Sequence, residues 1–169
     1  MKKFSYVFFA IALLSTTIAC NNNNNKQKTR EEQIEDFRIQ LTAEDSTTML
    51  RLADDAMEQL KGKHIDQVIA SLYEYTDSTQ EVKRLSDQTA KRYARLFKMF
   101  PVIEYEREYF SFMLEGVNDV KYKVTFATAE QTGTGEPATT MFMFNPVKVD
   151  GEWKLCVKTP EDEIDQEKN

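Results

Sequence analysis

Residues 139–158 read TTMFMFNPVKVDGEWKLCVK, and this alternation constrains the fold more than any other stretch of the chain. Met141, Met143, Val147 and Val149 alternate with Phe142 and Phe144. Beyond Asp150-Gly151, Trp153, Leu155 and Val157 alternate with Lys154, Cys156 and Lys158. A period of two sends successive side chains to opposite faces of a sheet. An Asp-Gly pair supplies the positive φ values of a two-residue hairpin turn. The stretch therefore reads as two antiparallel strands whose apolar face needs a covering layer. Large apolar groups stand on both faces of the first strand. Its second face is expected to line a cavity or to meet another chain.

Helical periodicity upstream supplies the cover. Thr29 and Glu32 stand in capping-box positions before Ile34, Phe37 and Leu41, which predicts a short helix. Met49, Leu50, Ala53, Met57 and Leu60 form one stripe over residues 45–61, and Gly62 follows where a left-handed turn often ends a helix. A second helix is expected over residues 65–75, with Ile65, Val68, Ile69 and Leu72 inward. Ser78 and Glu81 read as the capping box of a third, which buries Val82, Leu85, Thr89, Tyr93, Leu96 and Phe97 and stops before Pro101.

From Val102 the period changes to two. Ile103, Tyr105 and Arg107 alternate with Glu104, Glu106 and Glu108, and then Phe110, Phe112 and Leu114 take the glutamates' parity. A flat strand cannot bury both sets, so a bulge is expected between Glu108 and Phe110. A second strand carries Tyr122, Val124 and Phe126, and residues 131–137 form a loop into the closing hairpin. The expected fold is α+β: three N-terminal helices packed on a curved antiparallel four-stranded meander sheet, cone-like.

Ala56-Met57-Glu58-Gln59-Leu60-Lys61-Gly62-Lys63 resembles the opening of small nuclear-transport-factor-2-like (cystatin-like) domains. Val147-Lys148-Val149-Asp150-Gly151-Glu152-Trp153-Lys154-Leu155 resembles their closing strand pair. More narrowly, the arrangement is similar to lipoproteins of that superfamily whose role is uncharacterised. The resemblance implies a curled sheet wrapped on helices, with a cavity at its open end. The superfamily usually inserts a strand or hairpin between the helices, and none is legible in this sequence.

Lys2 and Lys3, an apolar run over residues 6–14 and small residues up to Ala19 have the order of a secretory signal. Thr17-Ile18-Ala19-Cys20 resembles a lipobox, in which the cysteine is acylated, and Asn21 to Asn25 read as a polar tether. The expected organisation is a signal over residues 1–19, then Cys20 with tether and short helix over 20–44. The domain follows at 45–159, with an acidic disordered tail at 160–169. Removing the signal takes the formal net charge from −6 to −8. No basic cluster stands out, which argues against nucleic acid. The membrane would be reached through the lipid, at the periplasmic side of a bacterial outer membrane. Once Cys20 is acylated, Cys156 stands alone and is expected to be buried.

His64 is the chain's one histidine, so triads and multi-histidine metal sites are excluded; it reads as a surface residue. Enzymes of the resembled superfamily, such as ketosteroid isomerases and scytalone dehydratase, use a buried Asp or His base with Tyr donors. Candidates for such a cavity are Tyr105, Arg107, Tyr109 and Tyr122 with Asp54 and Asp55, but no position matches a catalytic motif of those enzymes. Met141, Met143 and Trp153 complete the candidate cavity or interface set. Glu104, Glu106 and Glu108 read as an exposed strand face before a cation site. No catalytic residue, metal ligand or cofactor is assigned. The expected role is non-catalytic binding of a small apolar ligand or protein partner, with a homodimer through the sheet face. An isomerase or dehydratase-type cavity enzyme and a structural, assembly-accessory lipoprotein are the alternatives. Replacing Cys20 with Ala should move the protein from the membrane to the soluble fraction on cell fractionation. Undiminished membrane retention would contradict the lipid anchor.

Overall fold

The computed structural model describes residues 28–76, 81–114 and 116–159. The expectations for Cys20, the signal, Ser78 and the acidic tail fall outside these residues. In chain order the elements are α1 (Arg30–Gln40), α2 (Ala43–Lys61), α3 (Ile65–Ser71), β1 (Tyr73–Thr76), β2 (Glu81–Arg84), α4 (Asp87–Met99), β3 (Glu104–Leu114), β4 (Val117–Ala127), α5 (Ala129–Thr132), β5 (Ala138–Val149) and β6 (Glu152–Lys158). Among the described residues no helix is long and apolar enough to cross a membrane.

The expected hairpin is present. Val149 pairs with Glu152, and Asp150 and Gly151 take φ values of 51° and 82°. The meander from β3 to β6 is also as read, but the sheet has six strands rather than four, in the order β2-β1-β6-β5-β4-β3. The two extra strands form an antiparallel hairpin inserted between helices, and β1 runs parallel to β6. The sheet is therefore mixed. The helix expected over residues 65–75 ends at Ser71, because the aromatic Tyr73-Glu74-Tyr75-Thr76 run favours an extended strand half buried on each face. The next helix starts at Asp87, not near Ser78. Its cap is Ser86, whose hydroxyl accepts from the Thr89 N–H, and Glu81 lies in β2.

Two further local readings resolve differently. Gly62 is right-handed (φ −73°), and the left-handed residue is Lys63 (φ 64°). A Cβ at Gly62 would lie 2.8 Å from the ring of the exposed His64, which would have to swing aside. The bulge expected in β3 is present, as a register shift between Arg107 and Tyr109.

One face of the sheet meets α2, α3 and α4. Met57, Leu60, Val68, Tyr93 and Phe97 from the helices pack with Val120, Tyr122, Val124, Phe142, Phe144, Leu155 and Val157. A smaller cluster of Tyr75, Val147 and Cys156 is buried on the opposite face. Helix α1 lies against β3 and borders this second face, though none of its own residues is buried. Burial pushes the Cys156 thiol up to about 12, so it behaves as a small apolar side chain.

The N-terminus of α2 is fastened to the β5–β6 hairpin. The Asp45 carboxylate caps its own helix, accepting from the Thr42 N–H and hydroxyl. It also accepts from Trp153 Nε1 at 2.7 Å and Lys148 Nζ at 3.2 Å. Those donors hold its pKa well below the usual carboxylate range, Thr42 first and Trp153 next. A depressed folded pKa stabilises the fold above the unfolded value of about 3.9, and that contribution is lost as the pH falls towards the folded pKa. Asp45→Ala should therefore cost about 1–3 kcal/mol at pH 7 through the lost cap and charged hydrogen bonds. In urea melts the gap to the parent protein should hold from pH 7 to pH 5 and narrow below about pH 4. A gap that does not change with pH would contradict the clasp.

Candidate functional site

Three of the seven candidate site residues converge between α2 and the outer strands. Arg107 on β3 faces Tyr122 on β4 across the ladder, and Tyr105 lies two residues earlier on the same face. Beneath them, α2 presents Asp54 and, one turn on, Glu58. The Tyr122 hydroxyl donates to Asp54 Oδ1 at 2.6 Å, and Arg107 makes an ion pair with Asp54 Oδ2. The Tyr105 hydroxyl donates to Glu58 Oε1 at 2.6 Å, and its ring meets that of Tyr122 edge-on at 5.7 Å. Burial, and then the neighbouring carboxylates, push both phenols well above their ordinary range. They stay protonated donors at neutral pH.

This arrangement bears directly on catalysis. A general base needs a free lone pair within reach of a substrate proton. Each Asp54 oxygen already accepts one bond, one from a phenol and one from a guanidinium, and the guanidinium favours the ionised, weakly basic form. The group is a hydrogen-bonded clasp that ties α2 to β3 and β4, with the Asp54 charge matched by Arg107. Its two-residue spacing on β3 was legible in the sequence, whereas Glu58 was not singled out. Asp55 stands apart, in an exposed pair with Arg51.

The other candidates are not brought to this site. Tyr109 follows the bulge and pairs with Lys121, which pairs in turn with Met143. Tyr109 is 50% exposed and Met141 and Met143 are each 38% exposed, so they form a row on the second face. Trp153 serves the Asp45 clasp instead. In the glutamate row, Glu106 sits opposite Lys123 and Glu104 opposite Thr125. Among the described residues, no three His, Cys, Asp or Glu side chains group to hold a metal. His64 is exposed at the start of α3 and caps nothing through its side chain.

Ligand-sized space lies elsewhere. Two adjoining clefts, of about 510 and 670 Å³, flank α1 on the second face of the sheet. They share Gln33, Tyr75, Leu114, Gly116 and Val117 as lining. A Cβ at Gly116 would lie 3.0 Å from the Tyr75 hydroxyl, so the buried Tyr75 would have to give by a few tenths of an ångström. Sequence reading missed these clefts because β1, which brings Tyr75, was read as helix.

No family model and no curated protein matches the sequence. Among solved structures, the chain is similar to an NTF-2 like protein of unknown function from Shewanella oneidensis MR-1. Identity is 11% and the TM-score 0.41, over 68% of this chain and 98% of that one. A candidate NTF2-like transpeptidase from Campylobacter jejuni is similar at 14% identity and a TM-score of 0.38, over 64% of this chain and 96% of that one.

The clasp is testable by a double-mutant cycle on folding stability. Tyr122→Phe and Asp54→Ala should each destabilise, and the double variant should cost less than their sum by about 1 kcal/mol. Strict additivity would contradict a direct Tyr122–Asp54 contact.

Proposed function

We propose that this chain is a non-catalytic binding module of nuclear-transport-factor-2-like type, held by a lipid on Cys20 at the periplasmic side of a bacterial outer membrane. It takes a small apolar ligand in the clefts beside α1. The observation that carries the reading is the separation of chemistry from space. The two carboxyls lying beside tyrosine hydroxyls on the helix face, Asp54 and Glu58, each accept from one of those hydroxyls, and Asp54 is also paired with Arg107. Clefts of about 510 and 670 Å³ lie on the other face, in the size range of small-molecule sites. Their walls set Leu114, Val117 and Val147 among Gln33, Gln40 and Asn145 and the charged Lys28, Arg30, Asp36, Asp119, Lys148 and Lys158. Such a lining suits a small molecule whose apolar part meets Leu114, Val117 and Val147 and whose polar part meets the charged and amide groups around them. The family assignment rests on the helix opening and closing strand pair quoted above, and the anchor on the order of the N-terminal segments.

A second reading has its own observation. The half-exposed Met141, Met143 and Tyr109 row, interleaved with Lys121 and Lys123, suits a protein surface or a second copy of this chain. An isomerase or dehydratase-type enzyme would need Asp54 released from Arg107, and an assembly-accessory role would leave the clefts empty.

Native mass spectrometry of the mature lipoprotein, released gently from detergent, distinguishes these readings. The expected result is extra mass that leaves on denaturation, and that is absent from Gln33→Trp, whose indole would fill the space shared by both clefts. A clean protein mass for the parent chain would overturn ligand binding. A dimer series in that clean spectrum would favour the sheet-face interface.

A further inference from the structure

Strand β6 gains β1 as a neighbour only from Cys156 onward, where Tyr73 faces it. The chain before Tyr73 is still leaving α3, which ends at Ser71. Among the described residues, Glu152 to Leu155 therefore have β5 on one side and no strand on the other. A notch of about 410 Å³ opens at this gap, well away from α1. Its walls include Leu52 and Asp55 of α2, Tyr73 of β1, Arg84 of β2, and Trp153 and Lys154 of β6. The volume is in the range of small-molecule sites.

Strand register brings two cations to one ring at the notch. Arg84 stands opposite Tyr73 across the β1–β2 pair, and Lys154 lies two residues before Cys156, on the same face. The Arg84 guanidinium is 4.3 Å from the centre of the Tyr73 ring, and the Lys154 ammonium is 5.7 Å from it. Arg84 donates to the Ala70 carbonyl, and among the described residues no carboxylate pairs with it. Most of its N–H donors are left to solvent. Lys154 pairs with Glu152, whose side chain is 73% exposed, and exposed pairs of this kind hold weakly. The notch walls carry one carboxylate against these two cations, Asp55, and Arg51 already engages it. The lining is therefore one positive charge in excess, in a chain whose formal net charge is −6.

We propose that this notch is a binding site, separate from the clefts beside α1, for a small organic carboxylate. The carboxylate is held between Arg84 and Lys154. The apolar part of the molecule lies against Leu52 and Trp153, which are each half-buried in the notch wall. A single excess positive charge matches a monoanion, and the planar fork of a guanidinium matches a carboxylate. The Tyr73 ring beneath the guanidinium holds it in place through its π face. Lys154 exchanges the exposed Glu152 for the bound anion, so no buried pair is broken on binding.

Trp153 is the chain's one tryptophan, so its emission reports on this notch directly. Titrating the purified mature protein with phenylacetate should change that emission saturably. Arg84→Gln should weaken the binding about tenfold or more, the scale expected for one charged hydrogen-bonded contact. Lys154→Gln, which leaves the Arg84–Ala70 bond in place, should weaken it as well. Phenylethanol, with the same ring and no charge, should bind about tenfold or more weakly than phenylacetate. An emission that phenylacetate leaves unchanged would overturn the proposal. So would equal binding by the parent chain and both variants, or equal binding of phenylethanol and phenylacetate. Tighter binding of phenyl phosphate than of phenylacetate would overturn the carboxylate assignment.

Discussion

Helix α2 holds both wings of the sheet through its own carboxylates, and the rest of the structure depends on that. At its first turn Asp45 gathers Trp153 and Lys148 from the β5–β6 hairpin. Nine residues later Asp54 gathers Tyr122 and Arg107 from β3 and β4, and Glu58 takes Tyr105. The apolar stripe of Met49, Ala53, Met57 and Leu60 between these points supplies most of the burial. Apolar packing is non-directional, so the carboxylates are what select one seating of the helix over its neighbours. Glu74 makes a comparable join at the other edge. It is 2% exposed on β1, and it accepts from the backbone and hydroxyl of Ser86 at the start of α4. Burial alone would raise its pKa, but the bonds from Thr89 and Ser86 outweigh that and the net shift is downward.

Using the carboxylates in this way has a functional consequence. A carboxyl that acts as a general base needs a lone pair within reach of a substrate proton. Asp54 and Tyr122 are spent on each other, and the interior on that side is filled by Phe97, Phe142 and Phe144. Open volume moves to the other face, under a helix that buries none of its own residues.

The parts of the fold that were legible in the sequence are those governed by local periodicity. The β5–β6 alternation, the Asp-Gly turn, the α2 stripe and the parity change that demanded a bulge near Glu108 all reappear as read. The β1–β2 hairpin did not, because Tyr73 to Thr76 is only four residues long and continues the spacing of Val68 and Leu72 by coincidence. Its identity as a strand comes from pairing with β6, a partner more than 80 residues away that no local window contains. For the site, Tyr105, Arg107 and Tyr122 share a face by strand parity, so their grouping was readable. Asp54 was separable from Asp55 only once the rotation of α2 was known. The Asp45 clasp was hidden altogether, since an aspartate in a helix's first turn looks like a cap and nothing more.

The central claim is that Asp45 is an anion held by the hairpin. The direct test is the side-chain carboxyl carbon shift of Asp45, followed by NMR through an acid titration of the folded protein. It should stay at its ionised value well below the ordinary aspartate pKa of about 3.9, changing only with loss of the fold. Titration of Asp45 near that ordinary value, with Trp153 and Lys148 resonances undisturbed, would contradict the account.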